Sequence, residues 1–298
     1  MSLPLAGKRI VIGHLFADLL NLYGDHGNIA TLVRRAEWRG AAVEVREIGA
    51  DQGGALATVD IIFIGGGQDA QQITVAKGLE QLGGALLDAV GKGAALLAVC
   101  GGYQNLGHRF QSELAGDLIG PGLLDVWTEA PVGAARRVGG VVIELAKGSP
   151  IAAAGRASAA AAGVAGAETH LVGFENHSGR TYLSAGTRPL GRVLVGYGNN
   201  DRDASEGMIA FPGEGGLAGL RIGTYLHGPL LPRNPHLADY LLGRALDRHG
   251  SMELTALPDE GEWLAHTTFA ARWNVERATR RGSRFGAIGE RVGSLIGF

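Results

Sequence analysis

Gly93 to Gly107, GAALLAVCGGYQNLG, decides how the rest of the chain reads, and it holds Cys100, the only cysteine in 298 residues. Ala94 to Val99 is an unbroken apolar run with the length and flanks of a strand buried on both faces. Two glycines follow, and then Tyr103, Gln104, Asn105 and Leu106, which can open a helix. Cys100 therefore falls at a strand-to-helix turn. Such a turn pushes its side chain out beyond the carboxyl end of a parallel sheet, and Gly101 and Gly102 tolerate the tight backbone. Free N–H groups at a helix start favour thiolate over thiol. A solitary cysteine behind an apolar strand is more often a small packing residue. Packing, however, requires neither the Gly-Gly pair nor Gln104, whereas a nucleophile that receives a carboxamide can use both.

The composition narrows the classes of function. Net charge is -2 with a sequence pI near 6.5, so there is no electrostatic footprint for nucleic acid. One cysteine excludes an internal disulfide framework, and one cysteine with scattered histidines offers no metal-ligand spacing. The opening MSLPLAGKRIVIGHL lacks a signal-peptide pattern, and no apolar stretch is long enough for a transmembrane segment. A soluble cytoplasmic protein is expected.

Outward from Cys100, the pattern is one of strands alternating with helices. Lys8 to His14, Val43 to Ile48 and Ile61 to Ile64 read as strands. Ile29 to Arg39, capped by Asn28 and stopped at Gly40, and Gln71 to Val90 read as helices. This rhythm predicts an α/β fold, a mostly parallel central sheet with helices on both faces. Gly65-Gly66-Gly67 leaves the end of a strand as Cys100 does, and its N–H groups can face an oxyanion; no Gly-Lys-Ser/Thr follows to make it a phosphate loop. Leu123 to Trp127 and Arg137 to Leu145 predict a more antiparallel portion. The Ala/Gly tract 152–167 reads as a surface insertion or flexible loop. Leu171 to Leu183, Arg192 to Gly198, Glu206 to Phe211 and Leu220 to Leu226 predict further strands of the sheet. His236 to His249 is an amphipathic helix closed by Gly250, which divides the chain into a domain over 1–250 and an extension over 251–298. The extension carries Arg277, Arg280, Arg281, Arg284 and Arg291 and reads as a mobile or partner-docking segment.

A cysteine attacking an amide needs a base that can also protonate the leaving amine, and one imidazole serves both steps. Of nine histidines, His177 and His227 remain once those on helix surfaces and in the N-terminal region are set aside. His227 follows an apolar strand and precedes Gly-Pro, so it emerges at a strand end, as Cys100 does.

AVCGGYQNLG around Cys100 and TYLHG around His227 resemble the nucleophile and histidine motifs of class I glutamine amidotransferases, in particular the cobyric acid synthase-type glutaminase domain. The resemblance covers about Lys8 to Gly250, with Ala98 where a glycine is usual. DLLNLYGDHGNI (Asp18 to Ile29), GGGQDAQQ (Gly65 to Gln72) and GFENHSGRT (Gly173 to Thr181) are similar to the glutaminase subunits of lipid II isoglutaminyl synthases. The resemblance implies a class I glutamine amidotransferase-like fold and hydrolysis of L-glutamine through a Cys100 thioester, with His227 protonating the ammonia. It implies substrate-binding roles for Gly66, Gly67, Gly101, Gln104 and Arg137, with Arg136 an open alternative to Arg137. It further implies a heterodimer with a MurT-like Mur-ligase subunit that binds ATP and Mg, reaches lipid II and amidates its D-glutamate. The chain itself is expected to hold no cofactor or metal, and with no P-loop in it the synthetase half is expected on another polypeptide. Another acceptor of the cobyric acid type, or a non-catalytic regulatory role, is the alternative. Pro229 stands where most of the class place a glutamate, so the third acid is expected from Glu175, from Asp18 or from the partner.

Overall fold

A computed structural model describes residues 5–21, 24–67, 69–112, 116–130, 133, 135–249 and 254–273. β1 (Arg9–Leu15) leads to α1 (Asp25–Glu37), β2 (Ala42–Ile48), β3 (Ile61–Ile64), α2 (Asp69–Gly91), β4 (Ala95–Val99) and the short α3 (Gly101–Asn105). β5 (Arg109–Ser112), β6 (Gly116–Ile119), β7 (Val126–Glu129) and β8 (Arg137–Leu145) precede α4 (Pro150–Ala161). β9 (His170–His177), β10 (Arg180–Leu183), β11 (Gly191–Val195), β12 (Ser205–Glu206), β13 (Met208–Ala210) and β14 (Arg221–Thr224) follow, and then α5 (Pro235–Asp247) and α6 (Glu260–Arg272).

The main sheet has the order β13-β14-β4-β3-β1-β2, and only β13 runs antiparallel to its neighbour. β3 and β4, the runs IIFI and ALLAV, are buried at every position, as strands covered on both faces must be. The step from β1 to β2 moves across the sheet in one direction and the step from β3 to β4 in the other. Right-handed crossovers then place α1 and α2 on opposite faces. The reversal lies between β1 and β3, and crevices outside the carboxyl ends of such strands are where α/β sheets bind ligands. This is the α/β arrangement of a class I glutamine amidotransferase-like fold.

Three sequence expectations change. Residues 152–167 are not a loop: α4 covers most of them, with Pro150 in the first turn and the Ser149 hydroxyl accepting the Ile151 N–H at 3.3 Å. Alanine is the strongest helix former, and the small residues serve close packing. A Cβ on Gly155 would lie 2.4 Å from the His236 Cβ on α5. α1 begins at Asp25 behind a left-handed Gly24, so Asn28 is no cap; its Oδ1 accepts the Leu231 N–H at 2.8 Å. Of the strands expected to extend the main sheet, only β13 and β14 do. β11 and β12 join β8 and β9 in a separate antiparallel sheet, and β10, β7, β5 and β6 form a third.

The extension expected to be mobile or partner-docking over 251–298 packs on its own chain across 254–273. Trp263 is fully buried and donates through Nε1 to the Ser158 hydroxyl at 3.1 Å. Arg35 of α1 is gripped by Asp239 of α5 and by Asp259 just before α6, each at 2.7 Å, and Arg39 reaches Asp239 at 2.7 Å. The five arginines from Arg277 to Arg291 lie outside the described residues. Among the described residues no helix is long and apolar enough to cross a membrane.

Replacing Arg35 with leucine strips Asp259 of its guanidinium in a site where both side chains are almost fully buried. Breaking a buried pair by removing one partner costs about 3–5 kcal/mol. The R35L chain is expected to unfold at clearly lower urea, read by circular dichroism.

Candidate active site

Cys100 sits on the rim of the main sheet with φ 50° and ψ −103°, one of two non-glycine residues with positive φ among those described. Such a backbone costs on the order of 1–3 kcal/mol and persists only where its surroundings fix it. They do so here. Its N–H donates to the Thr224 carbonyl at 2.8 Å, and its own carbonyl accepts the Gln104 N–H at 3.0 Å. Cys100 itself, not the glycines, bears the unusual φ. Gly102 is required instead by close approach: a Cβ there would lie 2.8 Å from both the Ile64 carbonyl oxygen and the Ile64 Cγ2.

The Gly65–Gly67 turn leaves β3 beside Cys100, and Gly65 and Gly67 have no room for a side chain. A Cβ on Gly65 would come within 2.6 Å of the Leu20 carbonyl, and one on Gly67 within 2.4 Å of the Leu20 side chain. A Cβ on Gly66 would lie 3.1 Å from His227 Cε1 and 3.2 Å from Cys100 Cβ. The cysteine and the histidine therefore meet over this one glycine. His227 is fixed by two backbone bonds to Phe174 of β9, at 2.7 and 3.1 Å, which also tie the β8–β9 sheet to the rim. Burial, then the charges of His177 and Arg136, lower the His227 pKa to about 3. The ring is thus neutral and able to take a proton.

Beside Cys100 a narrow cavity is walled by Gly67, Gln104, Arg136, Asn176 and His177. Gln104 donates its Nε2 hydrogen to the Tyr225 hydroxyl at 3.1 Å, which fixes the orientation of its amide. His177, the other candidate base, has both ring nitrogens engaged, with the Gly179 carbonyl at 2.9 Å and Glu175 at 3.4 Å, and it stacks on Tyr225 at 3.7 Å. It is a wall. Arg136, held by the Asn176 side chain, faces the cavity, whereas Arg137 pairs with Asp201 and lies over the Tyr197 ring. The two acids expected to orient His227 are placed otherwise. Glu175 accepts the N–H groups of Tyr197 and Gly198 at 2.7 and 3.0 Å besides meeting His177, and Asp18 is exposed.

Residues 11–235 match the model of the CobB/CobQ-like glutamine amidotransferase domain. The chain belongs to that family. It is 38% identical over 275 residues to the Staphylococcus aureus (strain N315) lipid II isoglutaminyl synthase (glutamine-hydrolyzing) subunit GatD, covering 91% of this chain and 99% of that one. Identity to the Streptococcus pneumoniae (strain ATCC BAA-255 / R6) subunit of the same name is 33%, over 80% of this chain and 82% of the relative. A cobyric acid synthase of Pelotomaculum thermopropionicum is 31% identical across 66% of this chain, which spans 34% of that longer protein.

Two buried acids of this amidotransferase escaped the sequence reading. Asp25 accepts the Gly66 N–H at 3.3 Å. A Cβ on Gly101 would lie 3.4 Å from the Gly67 nitrogen, which brings the two amides together. Glu206 sits beneath Tyr225 and accepts its N–H at 2.6 Å. Asp25 did lie inside the GDHGN stretch that carries the family resemblance. Glu206 had no local signal, because what matters is a contact made 19 residues away. Among the described residues no group of three or more His, Cys, Asp or Glu could hold a metal ion.

Burial raises the Asp25 pKa to about 7 against the opposing effect of the Gly66 N–H. The folded state therefore holds this proton more tightly than the unfolded chain, and the associated stability, complete at low pH, is lost as pH rises through about 7. Asp25→Asn cannot titrate. From about pH 5 to about pH 8 its urea midpoint is expected to improve relative to that of the unaltered chain.

Proposed function

We propose that this chain is the glutaminase subunit of a lipid II isoglutaminyl synthase, and that it feeds ammonia to a MurT-like ligase. The observation that carries the reading is the meeting of Cys100 and His227 over Gly66, beside a cavity walled by Gln104 and an arginine. The identity to the Staphylococcus aureus subunit along nearly its whole length supports the choice of acceptor.

Cys100 passes its proton to His227 and attacks the side-chain carbonyl carbon of glutamine. The Gly67 and Gly101 N–H groups receive the oxyanion. The imidazolium of His227 protonates the departing nitrogen, ammonia leaves, and a thioester remains. Water then hydrolyses the thioester to glutamate and restores the thiol. The ammonia passes to the partner, whose ATP and Mg would supply the activation of the α-carboxylate of D-glutamate in the stem peptide needed for its amidation to D-isoglutamine.

An imidazole with a pKa near 3 is a weak base for a thiol. An acid supplied by the partner would raise it toward the range where general base catalysis is efficient. Turnover is then tied to assembly, and ammonia is not released idly. The isolated chain is expected to hydrolyse glutamine slowly and to accelerate sharply when the partner is added; equal rates in both states would reject the dependence.

Cys100→Ala is expected to abolish ammonia release and labelling by a glutamine-analogue electrophile, and His227→Ala to lower the rate by about 10²–10⁴-fold. Labelling of an unaltered chain that glutamine does not protect would reject the glutaminase reading. Arg136→Ala and Arg137→Ala locate the α-carboxylate. A rise in KM confined to Arg136→Ala places it in the cavity as it stands, and one confined to Arg137→Ala requires the Arg137–Asp201 pair to open on binding.

A further inference from the structure

We propose that Glu206 is a positioning residue of the glutaminase reaction: its buried carboxyl group holds the backbone of Thr224 to Leu226, and through that backbone it sets Cys100 against His227. The inference rests on the glutaminase reading above and extends it to a residue outside the cavity.

Glu206 belongs to β12, opposite Gly191 of β11, so it enters from the antiparallel sheet rather than from the sheet that carries the reacting groups. Its side chain is fully buried. Oε1 accepts the Tyr225 N–H at 2.6 Å, and the Thr224 hydroxyl lies 3.0 Å from Oε1 and 3.2 Å from Oε2. The same hydroxyl accepts the Leu226 N–H at 3.0 Å. The Thr224 carbonyl in turn accepts the Cys100 N–H at 2.8 Å. One carboxyl group is thus linked through three consecutive residues to the amide of the nucleophile on one side, and to the residue preceding His227 on the other.

The surroundings argue for a fixed device rather than an incidental ion pair. Among the described residues, the groups that bear on Glu206 are the Tyr225 and Leu226 N–H groups, the Thr224 hydroxyl and a second acid, Glu175, with no lysine or arginine among them. The Tyr103 and Tyr225 rings, in edge contact at 5.3 Å, pack in the same region. Burial raises the carboxyl pKa to about 8, so near neutral pH the group is largely protonated and glutamine is its isostere. A buried carboxyl group is costly unless it is hydrogen-bonded, and among the described residues the donors it meets lie within three residues of His227. A hydrogen bond that keeps two reacting groups in register acts mainly on the transition state, where a displacement of about 1 Å costs up to about a hundredfold in rate.

The test uses the complex with its ligase partner, glutamine as substrate and ammonia release as readout, below the unfolding transition of each variant. Glu206→Ala is expected to lower kcat by about tenfold to a hundredfold with KM nearly unchanged. Glu206→Gln is expected to restore kcat to within about threefold, because the amide keeps an acceptor for the Tyr225 N–H. Thr224→Val keeps the shape and removes the hydroxyl, and is expected to copy Glu206→Ala. Val142→Ala, a cavity in the fully buried core of the antiparallel sheet, controls for lost stability and is expected to keep kcat. The assignment is overturned if Glu206→Ala retains kcat, if Glu206→Gln falls as far as alanine, if KM rises in step with the loss, or if Val142→Ala loses as much. It is also overturned if Glu206→Ala and Thr224→Val simply unfold while Glu206→Gln stays folded and equally slow. An unaltered complex that releases no ammonia overturns the glutaminase reading and this assignment with it, whereas an active complex indifferent to Glu206 overturns this assignment alone.

Discussion

The Cys100 N–H reaches the Thr224 carbonyl across the parallel pairing of β4 and β14, and the geometry of the site hangs on that contact. The pairing brings Val99 opposite Thr224, so the next residue after the one strand is Cys100 and the third residue beyond Thr224 is His227. The bond holds Cys100 at a positive φ that an unconstrained cysteine would leave. The anchor is rigid because β4 is buried along its whole length and cannot slide without exposing it. The third strand in the row, β3, brings the glycine turn to the same rim, where the absence of side chains lets backbone amides approach the sulfur.

What the sequence made legible is what local pattern determines. The runs ending in Cys100 and in Gly65 announced buried parallel strands, and the rule that reacting groups collect at strand carboxyl ends favoured His227, with His177 the alternative, over surface histidines. The misses have physical causes as well. An alanine-rich tract carries no amphipathic stripe when its buried face is made of Ile151, Ala152, Gly155, Ser158 and Ala159, so α4 looked like low complexity. Arg136 and Arg137 are adjacent at the start of β8, where successive side chains point to opposite faces; the pattern says that they part company and cannot say which faces the cavity. Asp25 and Glu206 act on backbone 41 and 19 residues away, a relation that only the fold creates.

Pro229 shows how a departure from a familiar motif is absorbed. It packs against the first turn of α1, where a Cβ on Gly27 would lie 2.8 Å from its ring, so the helix start and the turn after His227 fit as a knob and a hole. Asn28, one residue on, accepts the Leu231 N–H and closes the same seam. α1 therefore braces both turns that deliver the site, the glycine turn through Asp25 and the histidine turn through Gly27 and Asn28. Its far end is locked by Arg35 to α5 and to the segment before α6, so residues well beyond the family match contribute to the stiffness behind the rim.

The described acids around the rim have a common use. Asp25 and Glu206 are both buried, both have carboxyl pKa values raised by that burial, to about 7 and about 8, and both accept backbone N–H groups. Glu175 likewise binds two backbone amides and the wall histidine. A carboxyl group used this way fixes main chain, while at His227 burial, then the charges of His177 and Arg136, lower the pKa. A site built so is rigid in geometry and weak in proton affinity. Rigidity is the harder property to supply from outside, since it needs many buried contacts, whereas a single carboxylate brought within about 4–6 Å of the ring shifts an imidazole by one or more pKa units. The division of labour proposed above would put shape in this chain and leave the last increment of basicity to the partner.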